Sequence, residues 1–449
     1  MPNQYQKRIP RMKCLPFTVF ALFPALAFLI AFAGCGPKNP PPKPSADMIL
    51  SGEPIEPAFV SSENVSPSVS ASSSPSGYKS SGEPEISPEN SENATAESSQ
   101  AAISGNQDTL QLIMVGDILL HTPVEKSALQ QDGSYSYDAI FEDTRDLIVG
   151  ADIALVNQEV ILGGSELGIS GYPAFNAPFE VGDDLVQAGF DIVCHATNHA
   201  LDKGKKGLLN CTAYWQNEHP EITVLGIHAE PADSLTIYEK SGIRIAFLNY
   251  TYGTNGIPLP EDMPHAVDLL DREKVLSDIR RAEEEADFTV VCPHWGTEYR
   301  LTADDSQKKW TKLFLENGVD LVLGTHPHVI EPIEYLTDEN DHKMLVYYSL
   351  GNFVNWTSSS GDGIANRMVG GMAQITLERD EDGAVNISDY GVRALVCHLS
   401  EGTNGVTVKL LSDYTEALAA ENAICSQDPD FSCNYCVNLC NRVWGEIWE

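Results

Sequence analysis

From residue 110 onward, short apolar runs alternate with amphipathic stretches, and that alternation restricts the chain to an α/β design. The runs occupy 110–115, 153–156, 192–194, 243–248, 288–292, 321–323 and 344–348. They are rich in Val, Ile and Leu and too short for helices, as buried strands are. Helical periodicity is clearest over 272–286 and 306–317.

Each run is followed closely by polar residues. Gly116, Asp117 and His121 follow the first, and Asn157 and Glu159 the second. His195, Asn198, His199 and Asp202 follow the third, His294 and Glu298 the fifth, and His326 and His328 the sixth. Ser349, Gly351 and Asn352 follow the last. In open α/β sheets ligands bind beyond the carboxyl ends of the strands, so these loops are expected to converge. Imidazole, carboxylate and amide donors together suit Mn, Zn or Fe better than Ca. One or two such ions can activate water and stabilise a leaving oxygen.

The individual signals differ. In His326-Pro327-His328, alternate residues of an extended segment would aim both imidazoles at one site; the alternative is a pair of ordinary loop histidines. Asn198 can offer its amide oxygen to a metal or cap a helix, and His199 can protonate a leaving group. Asp117 and Glu159 are equally compatible with ordinary turn positions, and His121 depends on the turn after Asp117. Lys203, Lys205 and Lys206 can hold an anion or form a solvated helix face, and Glu298 can touch substrate or water.

Net charge bears on the partner. With 28 Lys+Arg against 64 Asp+Glu the chain carries −36, which excludes a phosphate-backbone reader of nucleic acid. An acidic substrate would need local positive charge, and bound metal supplies it.

The N-terminus reads as a targeting segment. Lys7, Arg8, Arg11 and Lys13 precede an apolar run over 15–33, and Ala33-Gly34-Cys35 follows. A basic start, an apolar core and small residues at a cut describe a secretory signal. The ending resembles a lipobox, so Cys35 is the expected lipid anchor on the outer face of the cell membrane; an uncleaved membrane anchor is the alternative. Residues 36–108 are rich in Pro, Ser and Glu and sparse in large apolar side chains, a composition expected of a disordered tether. The folded domain is expected over 109–400, and 401–449 as a cysteine-rich tail. There Cys425, Cys433, Cys436 and Cys440 suggest one or two disulfides outside the membrane, with three possible pairings; the Cys433–Cys436 spacing also suits zinc.

Taken in order, several motifs resemble the CapA family of capsule and poly-γ-glutamate synthesis proteins. They are VGDILLH at 115–121, VNQE at 156–159, FNAP at 175–178, GFDIV at 189–193, ATNHALDKGKKGL at 196–208, HWGTEY at 294–299, VDLVLGTHPHVIEP at 319–332 and YSLGNFV at 348–354. The resemblance implies a calcineurin-like metallophosphoesterase sandwich, two mixed sheets flanked by helices. It also implies a metal shell of Asp117, Glu159, Asn198, His294, His326 and His328. His199 would be the general acid. From the residues themselves, Asp202 is a second catalytic candidate, and Lys203, Lys206 and Glu298 are the candidates to bind substrate. Departures are Gln158 for a common Leu, Thr197 for Asn and Thr325 for His. Metallophosphatases proper open with Asp-x-His, whereas here the histidine, His121, lies two residues later. Where they bridge two ions with Asp, Glu159 is the stand-in.

The resulting expectation is a surface hydrolase acting on an anionic polymer such as poly-γ-glutamate, alongside capsule synthesis membrane proteins. Two alternatives remain: a phosphoesterase on a phosphorylated surface compound, and a non-catalytic assembly subunit of a capsule export complex.

Overall fold

The computed structural model describes residues 109–400 and 405–449. The expected signal, the Cys35 anchor and the tether over 36–108 lie outside these residues. Among the described residues no helix is long and apolar enough to cross a membrane.

Fourteen strands among the described residues form two sheets. They are β1 (Thr109–Ile118), β2 (Ile153–Asn157), β3 (Ile192–Cys194), β4 (Thr223–Leu225), β5 (Thr236–Lys240), β6 (Ile243–Thr251), β7 (Phe288–His294), β8 (Leu321–Leu323), β9 (Ile333–Thr337), β10 (Lys343–Tyr347), β11 (Asn352–Val354), β12 (Val369–Arg379), β13 (Val385–Leu399) and β14 (Val406–Leu410). The first sheet runs β14-β13-β12-β1-β2-β3-β4, with β11 also paired to β1. Its β1–β4 half is parallel and its β12–β14 half antiparallel. The second runs β5-β6-β7-β8-β10-β9, parallel except at the two edges.

The alternation of side chains along each strand decides how the sheets pack. On β6, Ile245 and Phe247 join the large core shared with the first sheet. Ala246, Leu248 and Tyr250 face the other way, onto Val275 and Ile279 of the helix Arg272–Glu285 and Phe314 of the helix Asp305–Leu315. The result is the expected sandwich of two mixed sheets with helices outside.

Two details fix the register near the strand ends. Gly116 lies against β11, where an added Cβ would stand 1.9 Å from the Gly351 carbonyl oxygen, so only glycine permits this approach. The register of β1 shifts between Val115 and Asp117, and the Asp117 N–H donates to that same oxygen at 2.9 Å.

The carboxyl-terminal segment corrects the expected boundary. Residues 405–449 are no tail: β14 extends the first sheet, and the helix Cys433–Trp444 buries Cys436, Leu439, Cys440 and Trp444 in the shared core. The Trp444 indole N–H donates to the Glu331 carbonyl at 3.0 Å. The cysteines explain the misreading. Cys425, Cys433, Cys436 and Cys440 are free thiols. Cys436 and Cys440, one helical turn apart, serve as small buried apolar residues rather than as cross-links.

A buried acid elsewhere makes stability pH-dependent. Glu125 is 4 % exposed and accepts from the Tyr137 hydroxyl. Burial pushes its carboxyl up to about 8, against the pull of that hydrogen bond and with Glu180 adding. Because the folded value is raised, this contribution is full below the unfolded value near 4.5 and is lost as pH rises through about 8. Glu125→Gln is expected to flatten the decline, leaving the variant more stable by on the order of 4 kcal/mol above pH 8. Denaturant titrations at pH 5 and 8.5 check it; parallel pH profiles for both proteins would refute it.

Candidate metal centre

The parallel strands deliver their polar residues to one place. Asp117 is next to last in β1, Asn157 ends β2 and His294 ends β7; Glu159, Asn198 and His199 follow β2 and β3, and His326 and His328 follow β8. All are at least nine-tenths buried. Donor atoms fall into two groups, Asp117 with Glu159 and His294, and Glu159 with His326 and His328. Within each group they lie within 4.8 Å of one another. Glu159 belongs to both, the place of a bridging carboxylate. Asn198 joins through its Oδ1, 2.9 Å from His294 Nε2.

The His-Pro-His segment reaches the site by a different route from the one expected. His326 and His328 have φ of 100° and 59°. They sit in left-handed backbone, not in an extended segment, and such conformations are costly for residues with a Cβ. Their rings nonetheless come within 5.6 Å of each other. His328 Nδ1 lies 3.1 Å from Asp117 Oδ2 and 3.2 Å from Asn352 Oδ1.

The electrostatics suit a cation. Both Glu159 oxygens are buried without a hydrogen-bond partner, as is His326 Nδ1. Oε1 of Glu159 lies 3.6 Å from His328 Nε2, 3.7 Å from His294 Nε2 and 3.9 Å from His199 Nε2. Burial drives the Glu159 carboxyl well above its usual range; His328 opposes and Asp117 adds. Burial, helped by neighbouring imidazoles, holds His294 and His326 well below theirs, in the neutral form that ligates metal. At His328 burial acts downward, but Glu159 and Asp117 outweigh it and raise the ring to about 9. Even with the His328 ring 3.6 Å away, a buried Glu159 carboxylate that accepts no hydrogen bond is costly in a protein interior, and a bound cation would relieve that cost. The residues present therefore fit one or two divalent ions of the Mn, Zn or Fe type.

His199 and Asp202 form a dyad beside this cluster. His199 Nδ1 lies 2.7 Å from Asp202 Oδ2, an oxygen that also accepts from the Phe175 N–H at 2.8 Å. With Nδ1 engaged by the carboxylate, Nε2 is the nitrogen turned toward Glu159. Asp202 thus acts through His199. The Phe175 ring packs edge-on to His199 at 4.6 Å and to His121 at 5.2 Å, so His121 forms a wall and belongs to neither donor group. His195, from the same loop as Asn198, is a core histidine that accepts from the Trp215 indole at 3.0 Å. Asn198 caps no helix: the following helix begins at Gly204, with Lys203 as its N-cap.

Of the expected substrate-binding residues, Glu298 stays near, exposed at the edge, where it adds to the upward push on Glu159. Lys203 is half-buried and Lys206 exposed at the start of the helix Gly204–Glu218. Neither makes a hydrogen bond or ion pair with the centre among the described residues. Lys203 is the N-cap of that helix and Lys206 lies in its first turn. The cation that does stand beside the centre went unread in the sequence: Arg367, whose guanidinium lies 3.6 Å from the Tyr299 ring centroid. Tyr252, 4.7 Å from the His326 ring, and Asn255, 3.4 Å from His199 Nδ1, also lie in segments without a motif. Asn157, whose amide donates to Asp117 Oδ1 at 2.9 Å, was legible only as a polar residue after a strand.

Comparison with known proteins bears on the family. Over 259 residues the chain is 29% identical to the PGA biosynthesis protein CapA of Bacillus subtilis (strain 168), covering 56% of this chain and 66% of that protein. Over 266 residues it is 25% identical to the capsule biosynthesis protein CapA of Bacillus anthracis, covering 56% and 61%. The match spans less than two thirds of either relative's length. Among solved structures it is similar to a 5'-nucleotidase precursor from Thermus thermophilus (13% identity, TM-score 0.37, 64% of this chain and 54% of that one). It is also similar to the NAD nucleotidase NadN of Haemophilus influenzae (14%, TM-score 0.36, 66% and 52%). The profile of the bacterial capsule synthesis protein PGA_cap matches residues 111–357, more than half of the chain and nearly all of the centre just described, and the chain accordingly belongs to that family.

Proposed function

We propose that the chain is a metal-dependent hydrolase of capsule metabolism, held at the outer face of the cell membrane through Cys35 and acting on an anionic polymer such as poly-γ-glutamate. The observation that carries this reading is the shared carboxylate: Glu159 is fully buried, lacks a hydrogen-bond partner at both oxygens, and belongs to both donor groups. Asp117, Asn198 and His294 would hold one ion and His326 and His328 the other, with Glu159 between them. When bound, such ions supply an activated water and a Lewis acid.

The chain's own residues do the rest. Asp202 holds the His199 ring through Nδ1 with Nε2 facing the cluster, so this ring, when protonated on both nitrogens, is placed to give its Nε2 proton to the departing group. Buried Phe175 and half-buried His121 wall that side of the ring against bulk water. Asn157 and Asn352 hold Asp117 and His328 in place through hydrogen bonds at 2.9 Å and 3.2 Å. The names of the Bacillus relatives support capsule chemistry over other uses of this donor set, and capsule synthesis membrane proteins are the partners that fit.

Metal analysis of the purified full chain, with and without His326→Ala, tests the reading. The wild type is expected to retain Mn, Zn or Fe and the variant to lose at least half of it. Hydrolysis of polyglutamate or of a phosphomonoester by the metal-loaded wild type, and a loss of at least a hundredfold in the variant, separates an amide from an ester substrate. A wild type that holds no metal after reconstitution sinks the proposal.

A further inference from the structure

Beside the metal cluster stands a cation without a counter-ion. Arg367 lies in the short 3₁₀ turn Ile364–Met368, beyond the residues matched by the family profile. Its backbone is tied to the centre, because the Asn352 amide donates both to the Arg367 carbonyl at 3.1 Å and to the His328 carbonyl at 3.0 Å. Its side chain is tied there too. The guanidinium lies 3.6 Å from the Tyr299 ring centroid, and that ring is 6.0 Å from His328. Tyr299 is itself locked, with φ of 66° and its N–H donating to the Pro327 carbonyl at 2.7 Å.

Among the described residues the Arg367 guanidinium makes no hydrogen bond and no ion pair. Other cations of this acidic chain do: Arg281 pairs with Asp233, Arg379 with Asp287, Lys409 with Asp143 and Lys274 with Asp278. Glu298 stands near enough to act through space but not to pair. Stacking on Tyr299 fixes the guanidinium plane and leaves its N–H edge open, and a fixed planar fork of donors matches the oxygens of a carboxylate or phosphate. Half-exposed Tyr252 and Tyr299, at 48% and 45%, stand over His326 and His328, so aromatic surface flanks the approach to the same cluster.

We propose that Arg367, oriented by Tyr299, is the specificity-determining residue that grips an oxyanion of the substrate, a carboxylate or phosphate, beside the bond presented to the metal cluster. The proposal rests on the hydrolase reading above, which it deepens by restricting the substrate to compounds with an anionic group near the cleaved bond. It also replaces Lys203 and Lys206 as the source of positive charge.

The test compares the full chain with Arg367→Met, which keeps the packing, and Arg367→Lys, which keeps the charge but not the fork. Calorimetry measures binding of inorganic phosphate and of glutarate, with metal content and thermal midpoint followed in parallel. The expected result is a 10- to 100-fold loss of affinity for at least one probe in Arg367→Met, recovery of no more than about tenfold of it in Arg367→Lys, and unchanged metal content and midpoint. Which probe suffers identifies phosphate or carboxylate as the group held. Equal affinity in wild type and Arg367→Met, or no binding of either probe by the wild type, overturns the proposal. A wild type without metal whose anion affinity still depends on Arg367 keeps the anion site and sinks the hydrolase reading instead.

Discussion

Glu159→Gln is expected to abolish metal-dependent stabilisation and, with metal removed, to unfold at a higher temperature than the wild type. The two halves share one cause. Neither oxygen of this buried carboxylate has a hydrogen-bond partner, and burial raises its proton affinity well above normal, so its charge is a burden on the metal-free fold. An uncharged amide of similar shape relieves that burden by about 1–3 kcal/mol. It also removes the one group common to both donor sets. A ligand at a thousand times its Kd stabilises by about 4 kcal/mol, and that increment should vanish. Thermal melts of both proteins in chelator and in Mn or Zn give all four values. A variant that still gains stability from metal, or a metal-free wild type that melts above the variant, contradicts the account.

Ending the chain at residue 400 is expected to remove cooperative folding. The missing residues include Leu411, Tyr414, Ile424, Phe431, Leu439 and Trp444, all buried in the shared core. Each fully buried large apolar side chain contributes about 1.5–3 kcal/mol, so their joint loss is comparable with the whole stability of a domain, about 5–15 kcal/mol. The cut also exposes β13 as a new long edge, a template for aggregation. Circular dichroism melts and gel filtration check it. A truncated chain that stays monomeric and melts cooperatively near the full chain's midpoint would show the segment to be dispensable.

These two cases mark what could be read from sequence. Runs at 110–115, 153–156, 192–194, 243–248, 288–292, 321–323 and 344–348 all fall within or against strands, because buried parallel strands are apolar on both faces. Strands β12–β14 escaped. They are antiparallel, β13 and β14 are buried along only part of their length, β12 opens Val369-Gly370-Gly371, and the register shifts between Thr376 and Leu377, which blurs any alternation. The candidate metal ligands were legible because each lies within a residue or a few of a strand end. Arg367 was not, because nothing local marks it. Its place beside His328 depends on β11 and β12 folding back onto β1, and a lone arginine in sequence says nothing of that. Lys203 and Lys206 were read from their nearness in sequence to His199, and among the described residues neither makes a hydrogen bond or ion pair with the centre.

The centre draws Asp117, Glu159, Asn198 and His199 from one sheet and His294, His326 and His328 from the other. Neither leaf of the sandwich owns a complete set, so assembly of the cluster is a gauge of how the two leaves are aligned. Changes outside the cluster, in the apolar seam where Phe247 and Leu323 meet the first sheet, can therefore shift the candidate ligands relative to one another while each of them remains intact.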